Sequence, residues 1–554
     1  MSASDKKKLR KEQVAAQLTE KQRQQQAEAK KLKAYSIAFV AVLALVLCIA
    51  VVVLAVRGIE QSGIVQKNTI AATIGGQELN TVELNYYYVD YAQEFYAQNA
   101  SQYGDYADML LEGMGLNPAL PLDEQQNEAI GITWSQHFLD EALATAKRDI
   151  ALYNAAMAAN FTLPAEEQEL LDSAITNLET YATIYGFANA NKFLQASYGP
   201  GANVKSYQTY MERSAIADAF YTATEEGFTY DDAAIREFEK GNPDKYNSYT
   251  YDSIYMSYSD FMSSESEDED SEAAPTEEER NAAREAVKAA AEKLATATTV
   301  EELKTMAGEI ETPSGVKVTV TENKDQLHTA INGTLSDWLA ADERKEGDIA
   351  AIANTSTTTD ESGNETTNTN GYYVALFHSV NDNAFSTSSV RHLLVKFDGG
   401  TEDETTGELV YTEDEMTAAK DQADAYLKEW KEGDATEESF IKLVQEHSDD
   451  TSAAEGGLFS QIHPGSSYVE AFLNWSIDPN RKVGDTEVIE TEYGYHVMYY
   501  VGTDELNYRD HMITTDMRAA DLDAWYNGLL DSVTAALADT SKMELGLVLS
   551  PATI

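Results

Sequence analysis

One stretch of this chain is written twice, and the second writing constrains the fold more than any other feature. Residues 472–502 read FLNWSIDPNRKVGDTEVIETEYGYHVMYYVG. A weaker copy begins LSDWLAADERKEGDIAAI at Leu335 and resumes as NGYYVALFHSV at Asn370. Trp338 and Trp475 each stand six residues before an Arg-Lys pair, with Gly-Asp following. Where the downstream copy carries His496, the upstream copy carries Tyr373. A repeat that keeps its aromatic and turn residues but loses an ionisable group predicts two modules of one fold. One would hold a working site and the other would serve as scaffold.

At 554 residues the chain exceeds a single hydrophobic core, so three or four domains are expected. Residues 34–56 are 23 positions without a charge, almost all apolar, enough to cross a bilayer as a helix. The 33 residues before them hold ten Lys/Arg and four Asp/Glu, which predicts a basic cytoplasmic tail and an exported remainder. The net charge of −54 therefore divides into about +6 for the tail and about −60 beyond the membrane. Such a surface repels phosphate and excludes nucleic acid as a partner of the exported part. The only cysteine, Cys48, lies within the apolar run, so no intramolecular disulfide forms. Large exported domains without disulfides fit the surface of a Gram-positive cell. Leu47 is too large for the residue that lipoprotein cleavage requires, and residues 34–56 read as an uncleaved signal anchor.

Residues 57–245 carry helical patterns rich in Tyr, Ala and Glu after a short β-like piece, IAATIGGQEL. Leu84, Tyr87, Tyr88, Tyr91 and Phe95 recur at helical spacing, and a further helix is expected over 165–185. The first module spans 246–385, with an acidic low-complexity run near 263–279 and an expected disordered excursion over 354–371. The second, 386–503, reads strand, helices, strand, strand, an α+β pattern with helices around a small antiparallel sheet. In the terminal segment, 504–554, a helix over 522–538 would carry Leu522, Trp525, Leu529, Leu530, Val533 and Leu537 on one face. Its partner surface would be the N-terminal helical region. The fold class is thus α+β and multidomain, with an N-terminal membrane helix.

The second module resembles a parvulin-type peptidyl-prolyl isomerase domain. The resemblance rests on Val390-Arg391-His392-Leu393-Leu394-Val395-Lys396, on His447-Ser448-Asp449-Asp450-Thr451 before Glu455-Gly456-Gly457-Leu458-Phe459, and on Thr491-Glu492-Tyr493-Gly494-Tyr495-His496-Val497. The whole layout is similar to exported foldases of the PrsA and SurA type. In these an N-terminal chaperone region is completed by a C-terminal helix, with one or two parvulin domains between. The resemblance implies that His392 and His496 form a hydrogen-bonded pair with Thr491 beside them, and that Asp450 lies near the substrate carbonyl. It implies Phe459 and Phe472 as walls of a proline pocket, with Ser467 and Tyr493 among the substrate-binding residues. Ser466 and Ser467 occupy positions where relatives often carry Met or Leu. The first module has Ile254 and Tyr373 in place of the two histidines, which implies an inactive copy for spacing or peptide binding.

Rotation about an X–Pro bond faces a barrier of roughly 18–20 kcal/mol and needs no covalent step, cofactor or metal. A pocket for the ring and polar groups that favour the twisted carbonyl suffice. Other roles stand beside the catalytic ones: a structural His pair, Asp450 as the cap of a turn, and Thr491 as an ordinary strand residue. The expected activity is isomerisation of X–Pro bonds in unfolded exported polypeptides. A non-catalytic holdase or assembly scaffold is the alternative.

Overall fold

A computed structural model describes residues 63–262, 275–359, 365–402, 407 and 409–549. The expected anchor at 34–56 and most of the acidic run lie outside the described residues, among which no helix is long and apolar enough to cross a membrane. The chain divides into two compact units, one formed by residues up to Thr229 together with Arg518 onward, the other by Tyr230–Met517. Residues 230–245, expected with the helical region, fall in the second unit, where Ile235 packs with Tyr246, Ile513 and Met517.

In the first unit a one-turn helix, Ile64–Asn68, leads into a hairpin of β1 (Ile70–Ile74) and β2 (Gln77–Asn80). Asn80 then caps α1 (Thr81–Tyr103) through a reciprocal capping box with Glu83. The first half of α1 is buried on nearly every side, with Leu84, Tyr86, Tyr87 and Tyr88 in the main core. Tyr198 and Tyr210 donate to the Asp90 carboxylate from 2.7 Å each, so the tyrosines satisfy a carboxylate inside the helical layer as well as filling space. Burial pushes Asp90 up to about 6 against those hydrogen bonds. Short helix α2 (Ala107–Gly113) and long helix α3 (Trp134–Ala158) follow.

The terminal segment contributes to this unit differently from the expectation. Its helix stops at Asp531, and Ala535–Leu537 form a strand that pairs antiparallel with β1. Strand β1 already bonds β2 on one side, and the terminal strand satisfies its other row of backbone groups. Val533, Ala535 and Leu537 pack on the core, as Met543, Leu547 and Leu549 do further on.

The second unit contains two four-stranded antiparallel sheets of the same order. The first comprises β3 (Ser248–Ser257), β4 (Thr321–Leu327), β5 (Ile349–Thr359) and β6 (Glu365–Asn381), ordered β4-β3-β6-β5. The second comprises β7 (Ser388–Lys396), β8 (Leu458–Ile462), β9 (Thr486–Thr491) and β10 (Gly494–Thr503), ordered β8-β7-β10-β9. The duplicated residues build the same clamp in both. Arg344 lies 3.9 Å over the Trp338 ring and donates to the Trp338 carbonyl, and Arg481 lies 4.2 Å over Trp475 and does likewise. Gly347 and Gly484 donate to the carbonyls of Phe377 and Tyr500, whose own N–H groups donate back to Asp348 and Asp485. A short turn thus holds each third strand against its neighbour.

Two expectations fail in this unit. The described parts of 354–371 are not an excursion: Thr355 through Thr359 pair with Thr369 through Glu365 as a continuation of β5 and β6. Its threonines are polar enough to resemble a disordered tract, yet they are β-branched and suit a strand. Nor does Ile254 stand at the place of His392. By register Ser253 pairs with Ala375 as His392 pairs with Met498, while Ile254 pairs with Val374 as Leu393 pairs with Val497.

Close backbone approach pins both sheets. A Cβ on Gly371 would lie 2.3 Å from the Met256 carbonyl oxygen, and one on Gly494 would lie 2.2 Å from that of Val395. Gly494 also has φ of +140°, a region that side chains disfavour. Gly494→Ala is expected to destabilise the protein by roughly 2–4 kcal/mol in urea denaturation. The same change at Gly528, in a helix with nothing within 4 Å, should be neutral or slightly stabilising.

Candidate active site

Strand β7 carries His392 and β10 carries His496 on the sheet face that packs the short helix Glu470–Ser476 through Phe472 and Trp475. The opposite face buries Leu393, Val395 and Val497 against helices α4 (Glu413–Glu432) and α5 (Glu437–His447). Alternation along the strands therefore sends these apolar residues to α4 and α5 and both imidazoles to the other side. Gly457 makes room for this arrangement. Its carbonyl accepts from the His392 N–H at 3.0 Å, and a Cβ there would meet the His392 carbonyl oxygen at 2.2 Å.

The two histidines are buried, and their Nδ1 atoms lie 2.8 Å apart. Nε2 of His496 is 2.8 Å from the Thr491 hydroxyl. That hydroxyl lies 3.3 Å from the Gly494 carbonyl oxygen and accepts from the Tyr493 N–H at 3.2 Å. One assignment of protons serves the histidines together with Asp450: the Thr491 hydroxyl donates to Nε2 of His496, His496 donates from Nδ1 to the bare Nδ1 of His392, and His392 carries its proton on Nε2, toward Asp450. Burial, then the neighbouring His392, lower His496 to about 3, so it stays neutral at physiological pH.

Asp450 faces the free side of His392, its Oδ1 3.6 Å from Nε2. The same oxygen accepts from the N–H and hydroxyl of Ser452, at 2.9 and 2.6 Å, and caps the short turn Thr451–Glu455. Burial raises the Asp450 carboxyl, but His392 and the Ser452 bonds outweigh it and hold the group well below the usual carboxylate range. Asp450 is therefore both a turn cap and a fixed negative charge at the site.

Aromatic rings line the histidine pair. Phe459 and Phe472 meet the His392 ring edge-on at 4.9 and 5.4 Å between centroids, and Phe472 lies 5.8 Å from His496. Ser467 is exposed; the next residue, Tyr468, is the one that meets Phe459 and Phe472, at 5.6 and 5.3 Å. Tyr468 is a pocket residue that the motif positions did not reveal. Its signal was the aromatic in a Gly-Ser-Ser-Tyr turn four residues before Phe472. Tyr493 is 58% exposed in the β9–β10 turn, tied to the site through its backbone N–H.

The corresponding face of the first sheet differs at each of these positions. Ser253 takes the place of His392, Tyr373 that of His496, and Asn354, paired with Gly371, that of Thr491. Asn323, opposite Tyr251, takes the place of Phe459, and its Nδ2 donates to Ser253 Oγ at 3.0 Å. Leu335, three residues before Trp338, takes that of Phe472.

Residues 392–502 match the family of the PPIC-type PPIase (rotamase) domain, and the chain carries a peptidyl-prolyl cis-trans isomerase domain of the parvulin type. No curated protein matches the chain. Among solved structures, it is similar to the PPIase domain of TbPAR42, with 26% identity over 21% of this chain and 98% of that one and a TM-score of 0.16. It is also similar to PrsA from Bacillus anthracis, with 18% identity over 27% of this chain and a TM-score of 0.16. For PrsA from Bacillus subtilis the values are 21%, 26% and 0.17. The matched parts span 59% and 46% of those two PrsA chains.

The neutral, buried His496 gives the protein a specific acid response. In the unfolded chain it would ionise near 6.5, so between about 6.5 and about 3 the unfolded state binds more protons and stability falls as pH falls. The slope for one proton reaches at most about 1.4 kcal/mol per pH unit. Asp450 adds a loss in the same direction at lower pH, beginning as its unfolded form protonates near 4. Denaturation midpoints compared between wild type and His496→Gln should diverge above pH 4.5, with the variant losing less stability on acidification. Parallel curves would show that His496 is not held neutral.

Proposed function

We propose that this protein is a membrane-anchored, extracytoplasmic foldase that isomerises X–Pro bonds in unfolded or partly folded exported polypeptides. The single observation that carries the reading is the hydrogen-bonded run Thr491–His496–His392 with Asp450 at its end and Phe459, Phe472 and Tyr468 beside it. The rings provide an apolar seat for a prolyl ring. The fixed imidazoles and carboxylate disfavour the planar amide's charge distribution and favour a carbonyl that has turned out of conjugation. Water around the amide is replaced by oriented groups, and no proton need leave the protein.

The charge-free run at 34–56 and its basic flank support the anchor and the export of the residues beyond it. The helical unit, with the terminal segment built into it, supports a chaperone role beside the catalytic one. The first sheet, with the same strand order and the same Trp–Arg clamp, is read as a second, degenerate parvulin-like module over 246–385. Ser253, Asn323 and Tyr373 give it neither the imidazole pair nor a dry pocket, so it contributes spacing or peptide contact and no isomerisation.

The test is protease-coupled isomerisation of a short X–Pro peptide by the chain from residue 57 onward. Wild type should accelerate the reaction, and His392→Ala and Asp450→Ala should each lower kcat/KM by roughly tenfold or more with an unchanged far-ultraviolet spectrum. Tyr468→Ala should act mainly on KM, as a lost wall of the pocket. A folded protein with no acceleration would leave a holdase in place of the enzyme.

A further inference from the structure

The densest run of exposed large apolar side chains among the described residues lies on and around α2, in the helical unit. This helix buries Ala107 and Leu111 and turns Tyr106, Met109, Leu110 and Met114 outward, 68%, 62%, 41% and 55% exposed. Tyr106, Met109 and Leu110 stand at i, i+3 and i+4, so they form one stripe. Monomeric proteins seldom leave such a stripe bare, and methionine suits surfaces that meet many partners because its side chain is unbranched and polarisable.

The charge around the stripe identifies what it fits. Between Lys67 and Lys147 the chain has no Lys or Arg and twelve Asp or Glu. Two of these, Asp108 and Glu112, are exposed on α2 itself, steadied by hydrogen bonds from Tyr96 and Asn117 at 3.1 and 2.9 Å. A rim of two carboxylates, Asp108 and Glu112, repels an anionic lipid surface and equally repels a second copy of itself. It attracts a cation.

We propose that the α2 surface docks apolar segments of unfolded polypeptide that carry Lys or Arg. The stripe takes the apolar side chains and the rim takes the basic ones, so clients are sorted by charge before any proline reaches the isomerase site. This deepens the foldase reading and rests on it for the nature of the partner.

The test uses the chain from residue 57 onward and a labelled, proline-free, disordered peptide of Leu, Phe, Ser and Lys, followed by fluorescence anisotropy. The same peptide with Glu in place of Lys should bind about tenfold more weakly or not at all. The combined change Met109→Ser, Leu110→Ser and Met114→Ser should weaken the Lys peptide about tenfold. Asp108→Asn with Glu112→Gln should also weaken it and flatten its salt dependence. Equal affinity for the two peptides, or no effect of either variant set, overturns the proposal. So does binding to phosphatidylglycerol vesicles that the serine changes abolish, or a wild-type dimer that they dissolve. Isomerisation of a short X–Pro peptide, measured in the same samples, should be unchanged in both variant sets. Activity without peptide docking removes this surface alone, whereas docking without activity removes the catalytic reading and leaves the surface standing.

Discussion

The backbone of Gly494 presses against the carbonyl of Val395, and the register of the isomerase sheet depends on that contact. With Gly494 opposite Lys396, His496 falls opposite Leu394 and His392 falls opposite Met498. The imidazoles then emerge on one face, two residues apart along neighbouring strands, close enough for their Nδ1 atoms to share a proton. A slip of one residue would send both rings toward α4 and α5 and turn Leu393, Val395 and Val497 out to the pocket. The Trp475–Arg481 clamp secures the third strand at its other end, so Thr491 reaches His496 without adjustment. The chemistry is thus a property of strand pairing, with each side chain placed by an element that has its own reason to be there.

Much of this was legible in the chain because local chemistry wrote it there. The opening strand, the helices and the two closing strands of 386–503 follow from local pattern, and the repeated Trp-to-Gly-Asp spacing proves to be the same turn in both copies. His392, His496, Thr491, Phe459 and Phe472 meet in space as the family resemblance implied. What escaped depends on partners far away in sequence. Ala535–Leu537 look like the tail of an amphipathic helix until β1, more than 450 residues earlier, is seen to need an edge partner. Ser253 and Ile254 differ by one step along a strand, and only pairing decides which faces the pocket. Tyr468 was hidden by the path of its loop, whose length relative to the motif decides which side chain reaches the phenylalanines.

The two sheets also separate what maintains a fold from what performs a task. Both keep the clamp, the strand order and the glycine at the strand crossing. The corresponding positions of the first sheet hold residues that satisfy one another, as Asn323 does by donating to Ser253. A buried imidazole without its partner leaves an unsatisfied polar atom, so losing one member of the pair removes the reason to retain the other.

The turn between β9 and β10 adds to this difference. In the isomerase sheet only Glu492 and Tyr493 separate the two strands, and the Tyr493 N–H steadies the hydroxyl that supports His496. In the first sheet the strands run on past Gly371 into the threonine ribbon, and that supporting N–H has no counterpart at Asn354. Histidines placed at positions 253 and 373 would therefore not reproduce the hydrogen-bonded run of the second sheet: the length of the hairpin, which no point substitution changes, sets which backbone N–H meets the side chain at the end of the strand.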